Sequence, residues 1–177
     1  MFLSSCSKRE AIINFQDVYI YTSLEDQILI KDVINQDLFD KIYYTPQPEL
    51  KYKPVWKTHE DFLDRPNNSK LILISLTEPA DTTIDIVAKH ISSKMNISEN
   101  IFSIDDYFNR EQILIFLNYD NVNDLNNELI NHKDWILSLL NENEKEGMEK
   151  VAYRGGINEG ISSIISKEFD VVYLTGN

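Results

Sequence analysis

Near the start of the chain, the pattern of apolar and polar residues changes from alternating to helical. Residues 17–21 alternate aliphatic and aromatic side chains, which predicts a short strand. Ser23 is the expected N-cap of a helix over residues 24–39, because acidic residues follow it and apolar residues recur at helical spacing. The residues expected to face the core are Leu24, Ile28, Ile30, Ile34 and Leu38.

The middle of the chain predicts two more strands, an extended edge and a short helix. Residues 42–45 form the second strand, and residues 51–56 resume an extended edge after two prolines that no central strand would hold. Thr58 caps a short helix that Pro66 stops. Residues 71–76 are almost continuously apolar, as expected of a central strand covered on both faces.

Further elements follow at short intervals. We predict a helix from residue 81 or 82 to about residue 94, and a hairpin whose strands, 101–108 and 112–117, flank residues 109–111. Residues 171–174 form a last strand.

This order of elements predicts an α+β fold, with helices packed on a mixed sheet of about five to six strands. A ferredoxin-like core is the most specific form of this expectation. We expect residues 1–14 to be a lipid-attachment remnant and a flexible tether, and residues 15–177 to be a single domain.

The five glycines all lie between Gly147 and Gly176, and their placement affects both chemistry and structure. Residues 1–146 therefore contain neither a P-loop nor a dinucleotide-binding turn, since both need glycine close to phosphate. A single helix over residues 122–168 would be about 70 Å long, longer than the diameter of about 40 Å expected for the domain. We predict a break at Gly155-Gly156, with residues 141–147 as a solvated overhang. A continuous helix, packing closely through its small residues, is the alternative.

Asn121 is the expected N-cap of the first part of this helical segment. The residues expected to face inward there are Leu125, Leu129, Ile136, Leu140, Met148 and Val151.

The side chains suited to catalysis or metal binding lack the spacing that either requires. His59, His90 and His132 have no second ligand at metal-binding distance in the sequence. His59 lies near Arg65 at a helix start, and we interpret it as part of a capping cluster rather than a polar site. Two groups could bind a cation: Asp105 with Asp106, and Asp120 with Asn118 and Asp124. The second group lacks the glycine and the terminal glutamate of an EF-hand loop, so capping explains it better. We expect no cofactor, no metal and no catalytic residue, and we favour a protein that is not an enzyme.

One aromatic group and the net charge bear on possible partners. Tyr43, Tyr44, Tyr52 and Trp56 surround the prolines, where they form either an edge-strand binding surface or, the reading we favour, part of the packed sheet. The formal net charge is −12, from 29 acidic and 17 basic residues. Nucleic-acid binding relies on basic residues that neutralise phosphates, so we expect no nucleic-acid partner.

Cys6 is the single cysteine, and it closes the run Leu3-Ser4-Ser5-Cys6. An aliphatic residue, two small residues and a cysteine have the form of a bacterial lipobox, in which the cysteine is acylated. Because Met1-Phe2 alone precede the run, we expect that an upstream signal segment is missing from the sequence. The alternative is an incidental cysteine in a frayed terminus.

Several stretches together resemble an uncharacterised family of Bacteroidetes lipoproteins, a domain of unknown function. They are the lipobox, the strand-helix opening, Pro46-Gln47-Pro48-Glu49, residues 65–74, the Glu/Lys-rich helix over residues 144–154 and the closing residues 168–174. The resemblance covers about residues 14–177. It implies an envelope lipoprotein without an established activity, and it supplies no catalytic residues. Family members continue with a second half, so we interpret this chain as the N-terminal half of a longer protein or as a truncated member.

Three hypotheses for function remain. The first is a lipid-anchored, non-enzymatic domain of the cell envelope, held to the membrane through Cys6, which binds a protein or glycan partner. The second is an enzyme whose site is completed by a missing C-terminal half or by dispersed residues such as His59 and Arg65. The third is a cytoplasmic structural domain in which Cys6 is incidental.

Overall fold

A mixed sheet of five strands organises the part of the chain that can be described. The computed structural model describes residues 9–40, 42–43, 49–76, 91, 93 and 99–153. The strands are β1 (Asp17–Tyr21), β4 (Lys53–Lys57), β5 (Lys70–Leu76), β6 (Ile101–Asp105) and β7 (Ile113–Tyr119). A separate antiparallel pair joins β2 (Ile42–Tyr43) to β3 (Glu49–Leu50).

The strand order is β4-β1-β5-β7-β6, and most of the sheet is parallel. β1 pairs in parallel with β4 and β5, β5 pairs in parallel with β7, and β6 alone runs antiparallel, against β7. The predicted α+β class with a mixed sheet is confirmed. The ferredoxin-like core is not, because three of the four strand pairs in this sheet are parallel.

The helices whose bounds the structure describes are α1 (Leu24–Val33), α2 (His59–Leu63) and α3 (Val122–Tyr153), and a π-helical turn (Ile34–Leu38) extends α1. α1 and α3 contribute to one hydrophobic cluster, which lies on the face of β5 that carries Ile72 and Ile74. Phe62 of α2 belongs to a second cluster on the opposite face, with Leu71 and Leu73. Every residue of β5 is buried, as expected of a central parallel strand.

Local signals explain where the elements begin and end. Ser23 is the N-cap of α1, as predicted, and its Oγ accepts a hydrogen bond from the backbone N of Asp26 at 2.9 Å. The carboxylate of Asp61 accepts a hydrogen bond from the backbone N of Thr58 at 3.1 Å, which holds the start of α2. Pro54 is tolerated in β4 because β4 lies at the edge of the sheet.

The face of α1 that packs on the sheet differs from the predicted one. Ile30, Ile34 and Leu38 are buried, but Leu24 is 62% exposed and Ile28 is 81% exposed. Asp26, which is fully buried, takes the inward position of the first turn, four residues before Ile30. Residue 28 lies about 200° around the helix from residue 26, so Ile28 cannot share that face.

The long helix begins as predicted and differs from the prediction further along. Its buried residues Leu125, Leu129, Ile136 and Leu140 confirm the inward face, and the side chain of Asn121 accepts hydrogen bonds from the backbone N of Asn123 and Asp124. Met148 and Val151 are exposed, at 46% and 50%, contrary to prediction. Among the residues described between 141 and 151, Gly147 is the buried one. The predicted break at Gly155-Gly156 and the predicted strand at 171–174 lie outside the described residues.

The chain divides into two compact units, Met1–Glu144 and Lys145–Asn177. The five-stranded sheet, α1, α2 and the part of α3 that ends at Glu144 belong to the first unit. Residues 145–153, the end of α3, are the described part of the second. The single domain predicted over residues 15–177 stays a prediction.

Part of the predicted tether is bound to the sheet. Glu10 and Ile12 form parallel bridges with Arg110 and Asn68. The backbone N of Arg110 donates to the carbonyl of Arg9 at 2.8 Å, and Ala11 is buried. Residues 9–12, which were predicted to be part of a flexible tether, therefore contact the sheet. These residues run along the amino-terminal edge, defined here as the edge where the parallel strands begin.

Candidate functional site

Lys70 is a buried cation at the amino-terminal edge of the sheet, where it is the first residue of β5. Its side chain is 1% exposed. The Nζ atom donates to the carbonyl of Phe15 at 2.6 Å, lies 3.8 Å from the carboxylate of Glu144 on α3, and sits 4.9 Å from the centre of the Tyr52 ring. A buried ammonium is stable only with such partners, since desolvation disfavours its charge.

Burial lowers the pKa of Lys70 to about 8. Desolvation is the main cause, and the nearby ammonium of Lys51 acts in the same direction. The carboxylates of Glu144 and Asp17 oppose it by favouring the charged form. Near neutral pH the amine is therefore mostly protonated. Enclosed by its partners, it is better suited to holding α3 against the sheet than to attacking a substrate.

Tyr52 links this buried cation to the surface. Its hydroxyl lies 2.7 Å from Oδ1 of Asn141 and 3.0 Å from Oε2 of Glu144, and its single proton can be donated to one of them at a time. Lys51 also donates to Oδ1 of Asn141, and its ammonium lies 5.1 Å from the centre of the Tyr52 ring. These contacts show that residues 141 and 144 are not a solvated overhang, contrary to prediction.

A cleft of about 230 Å³ opens beside this network. Its walls come from the end of the π-helical turn, from the residues just before β4 and from α3. The lining residues are Leu38, Phe39, Lys51, Tyr52, Asp134, Leu137, Ser138 and Asn141. The exposed groups of the cleft therefore include one cation, one carboxylate and one amide, while Leu38, Phe39 and Tyr52 contribute almost no exposed surface.

The opposite, carboxyl-terminal edge holds a second polar group. Thr22, Ser23 and Asp26 follow β1, and Ser75 lies near the end of β5; all four are buried. In open, mostly parallel sheets, ligands bind beyond the carboxyl ends of strands where the strand order reverses, which here is between β1 and β5.

This second group is only partly paired. Oδ2 of Asp26 accepts a hydrogen bond from the backbone N of Leu76 at 3.4 Å. Oγ1 of Thr22, Oγ of Ser75 and Oδ1 of Asn118 are buried without a hydrogen-bond partner in the described part of the chain. Hydroxyl and amide oxygens of this kind commonly hold an ordered water.

The structure does not bring His59 and Arg65 together in a cleft. His59 lies 3.5 Å from its neighbour Glu60, and Arg65 is exposed, with a positive φ of 57° after the end of α2. His132 is a surface residue 3.2 Å from Glu128, one turn earlier on α3. His90 lies outside the described residues.

The acidic clusters considered as cation sites have structural roles. Oδ1 of Asp106 accepts a hydrogen bond from the backbone N of Glu111 at 2.6 Å and braces the β6–β7 turn. Asp124 accepts a hydrogen bond from the side chain of Asn121 at 2.8 Å at the start of α3. Within the described ranges, no three His, Cys, Asp or Glu side chains are grouped so that they could hold a metal ion.

The aromatic group around the prolines packs into the sheet where the structure describes it. Tyr52 is 2% exposed and meets Phe39 edge to face, with ring centres 6.2 Å apart. Trp56 is partly buried against the cluster that includes α1 and α3. The side chains of Tyr43 and Tyr44 lie outside the described residues, and so does Cys6.

Sequence reasoning missed both Lys70 and the cleft. In the sequence, Lys70 is a polar residue directly before an apolar run. That position could have prompted the question of which carboxylate pairs with it. The cleft had no local signal, because its walls come from three segments that are distant in sequence.

No family model, no curated protein and no solved structure matches this chain. Among the described helices, none combines the length and the apolar character that a membrane-crossing segment needs.

Proposed function

We propose that this protein is a non-enzymatic binding domain of the cell envelope, held at a membrane by a lipid on Cys6. The observation that carries the proposal is the run Leu3-Ser4-Ser5-Cys6 placed directly before a segment bound to the sheet. The carbonyl of Arg9 is already hydrogen-bonded to Arg110. The three residues from Cys6 to Arg9 span at most about 10 Å, so acylated Cys6 would hold the amino-terminal edge near the bilayer.

The non-enzymatic part is supported by the roles of the polar side chains. Lys70 is enclosed by its partners, and Asp61, Asp106 and Asp124 cap or brace local structure. His59 and Arg65 make no shared site. The cleft lined by Lys51 and Asp134 offers groups that can bind a ligand, and among the described residues no hydrogen bond joins Asp134 to a hydroxyl that it could activate as a base.

Metabolic labelling with an alkyne fatty acid tests the anchor, with the gene expressed from its own locus. We expect label on the wild-type protein and on Ser7→Ala, which keeps the cysteine and the residues before it. We expect none on Cys6→Ala at matched protein abundance. An unlabelled wild-type protein, or label that persists in Cys6→Ala, would contradict the proposal.

A further inference from the structure

We propose that the cleft beside Tyr52 binds a short apolar peptide, about two residues long, through its free amino and carboxyl ends. This inference deepens the binding role in the proposed function and does not depend on the lipid anchor. It rests on the charges that line the cleft and on their spacing along α3.

The first observation is a carboxylate that has no ion-pair partner among the described residues. Asp134 lines the cleft, and none of the described residues forms a hydrogen bond or an ion pair with it. The adjacent cation, Lys133, is already engaged with Asp40, with Nζ and Oδ1 2.8 Å apart. An exposed carboxylate on a cleft wall can accept hydrogen bonds from a ligand ammonium.

The second observation is a group of donors farther along the same wall. Oδ1 of Asn141 accepts from Lys51 and Tyr52, which leaves the amide Nδ2 as a donor without a partner among the described residues. Lys51 has two further N–H donors, since its ammonium carries three. These groups suit a ligand carboxylate, because each can donate a hydrogen bond to it.

The spacing sets the length of the ligand. Asp134 and Asn141 are seven residues apart, so they lie on the same side of α3 and about 10.5 Å apart along its axis. Leu137 lies between them and is partly exposed, so it can contact one apolar side chain of a ligand; Leu38 and Phe39 also line the cleft but are almost fully buried. An extended dipeptide spans about 7 Å, which fits once the side chains of Asp134 and Asn141 reach inward. In a single α-amino acid the ammonium and the carboxylate are too close together to reach both Asp134 and Asn141.

The volume agrees with this size. A cavity of about 150 Å³ holds a benzene ring, and drug-sized ligands occupy about 300–1,000 Å³. At about 230 Å³, the cleft suits a ligand of two small residues with one apolar side chain.

Calorimetric titration of the full chain with Leu-Ala, N-acetyl-Leu-Ala and Leu-Ala amide tests the proposal. We expect Leu-Ala to bind and each capped form to bind about tenfold more weakly, because each loses one charge-assisted contact. Asp134→Asn should weaken Leu-Ala about tenfold and leave the acetylated peptide unchanged. Glu146→Gln, which removes an exposed charge from the same helix, should change neither.

A second variant and two further ligands complete the test. Ser138→Phe should abolish binding by filling the cleft, with the fold checked by circular dichroism. The proposal fails if Leu-Ala does not bind at millimolar concentration, or if capping either end has no effect. Leucine or 6-aminohexanoate binding as tightly as Leu-Ala would also overturn it, because either result would remove the need for a peptide.

Discussion

At the amino-terminal edge of the sheet, the buried cation Lys70 has a carbonyl, a carboxylate and an aromatic ring as partners. At the carboxyl-terminal edge, the buried hydroxyls of Thr22 and Ser75 have no hydrogen-bond partner among the described residues. The first edge holds a buried ammonium, whose desolvation is unfavourable and whose partners stabilise it. The second holds neutral hydroxyls without a described partner, beside Asp26, which accepts a hydrogen bond from the backbone N of Leu76.

The contrast shows why burial alone does not reveal function. A buried charge with good partners fixes how elements pack, and Lys70 fixes α3 on the sheet through Glu144. A buried hydroxyl without a partner lowers stability, unless water or a ligand satisfies it. Stability measurements can therefore distinguish the two edges. Removing the partner of Lys70 should destabilise the protein, whereas removing an unpaired hydroxyl should not.

The largest effect is expected from Glu144→Gln, which keeps the shape of the side chain and removes the charge facing Lys70. We expect the free energy of unfolding at pH 7 to fall by about 2–3 kcal/mol, since the buried ammonium loses its counter-charge. Glu144 is 18% exposed, which keeps the loss below the roughly 3–5 kcal/mol expected on breaking a fully buried pair. Urea denaturation measures it. Glu146→Gln, at an exposed position of the same helix, should stay within about 0.5 kcal/mol of wild type. Equal stability of the two variants would show that the pair contributes nothing.

The pH dependence sharpens the same comparison. The pKa of Lys70 is about 8 in the folded protein, against its ordinary value of 10.5. Below pH 8 both states are protonated, so the burial penalty is constant. Between pH 8 and 10.5 the unfolded chain binds more protons, so stability should rise with pH by up to about 1.4 kcal/mol per unit.

Lys70→Met is the variant that isolates this contribution. It should lack the rise, so the free energy of unfolding of wild type minus that of the variant should increase from pH 7.5 to 9.5. That window stays below the titration of buried tyrosines such as Tyr119, whose pKa is raised to about 12 by burial and which act in the opposite direction at higher pH. Parallel profiles for the two proteins would exclude Lys70 as the titrating group.

Sequence patterns predicted the strands and caps well, because those depend on neighbouring residues. The apolar run of β5, the Ser23 cap and the β6–β7 hairpin are all confirmed. Errors arose where tertiary contacts decide. Ile28 matched the helical spacing but is exposed, while Asp26 is buried beside β5. Lys70 and Glu144 are 74 residues apart in the sequence, so no local pattern could predict their pairing.

The smallest effect is expected at the carboxyl-terminal edge, from Thr22→Val. Valine keeps the shape of threonine and removes a buried hydroxyl that has no described partner, so stability should be unchanged or rise by up to about 1 kcal/mol. Ser23→Ala is the matched control one residue later. It removes the Oγ that caps α1 and should lower the free energy of unfolding by about 1 kcal/mol. If Thr22→Val destabilised the protein as much as Ser23→Ala, its hydroxyl would be hydrogen-bonded in solution. The two edges would then differ in the kind of partner they provide rather than in whether one is present.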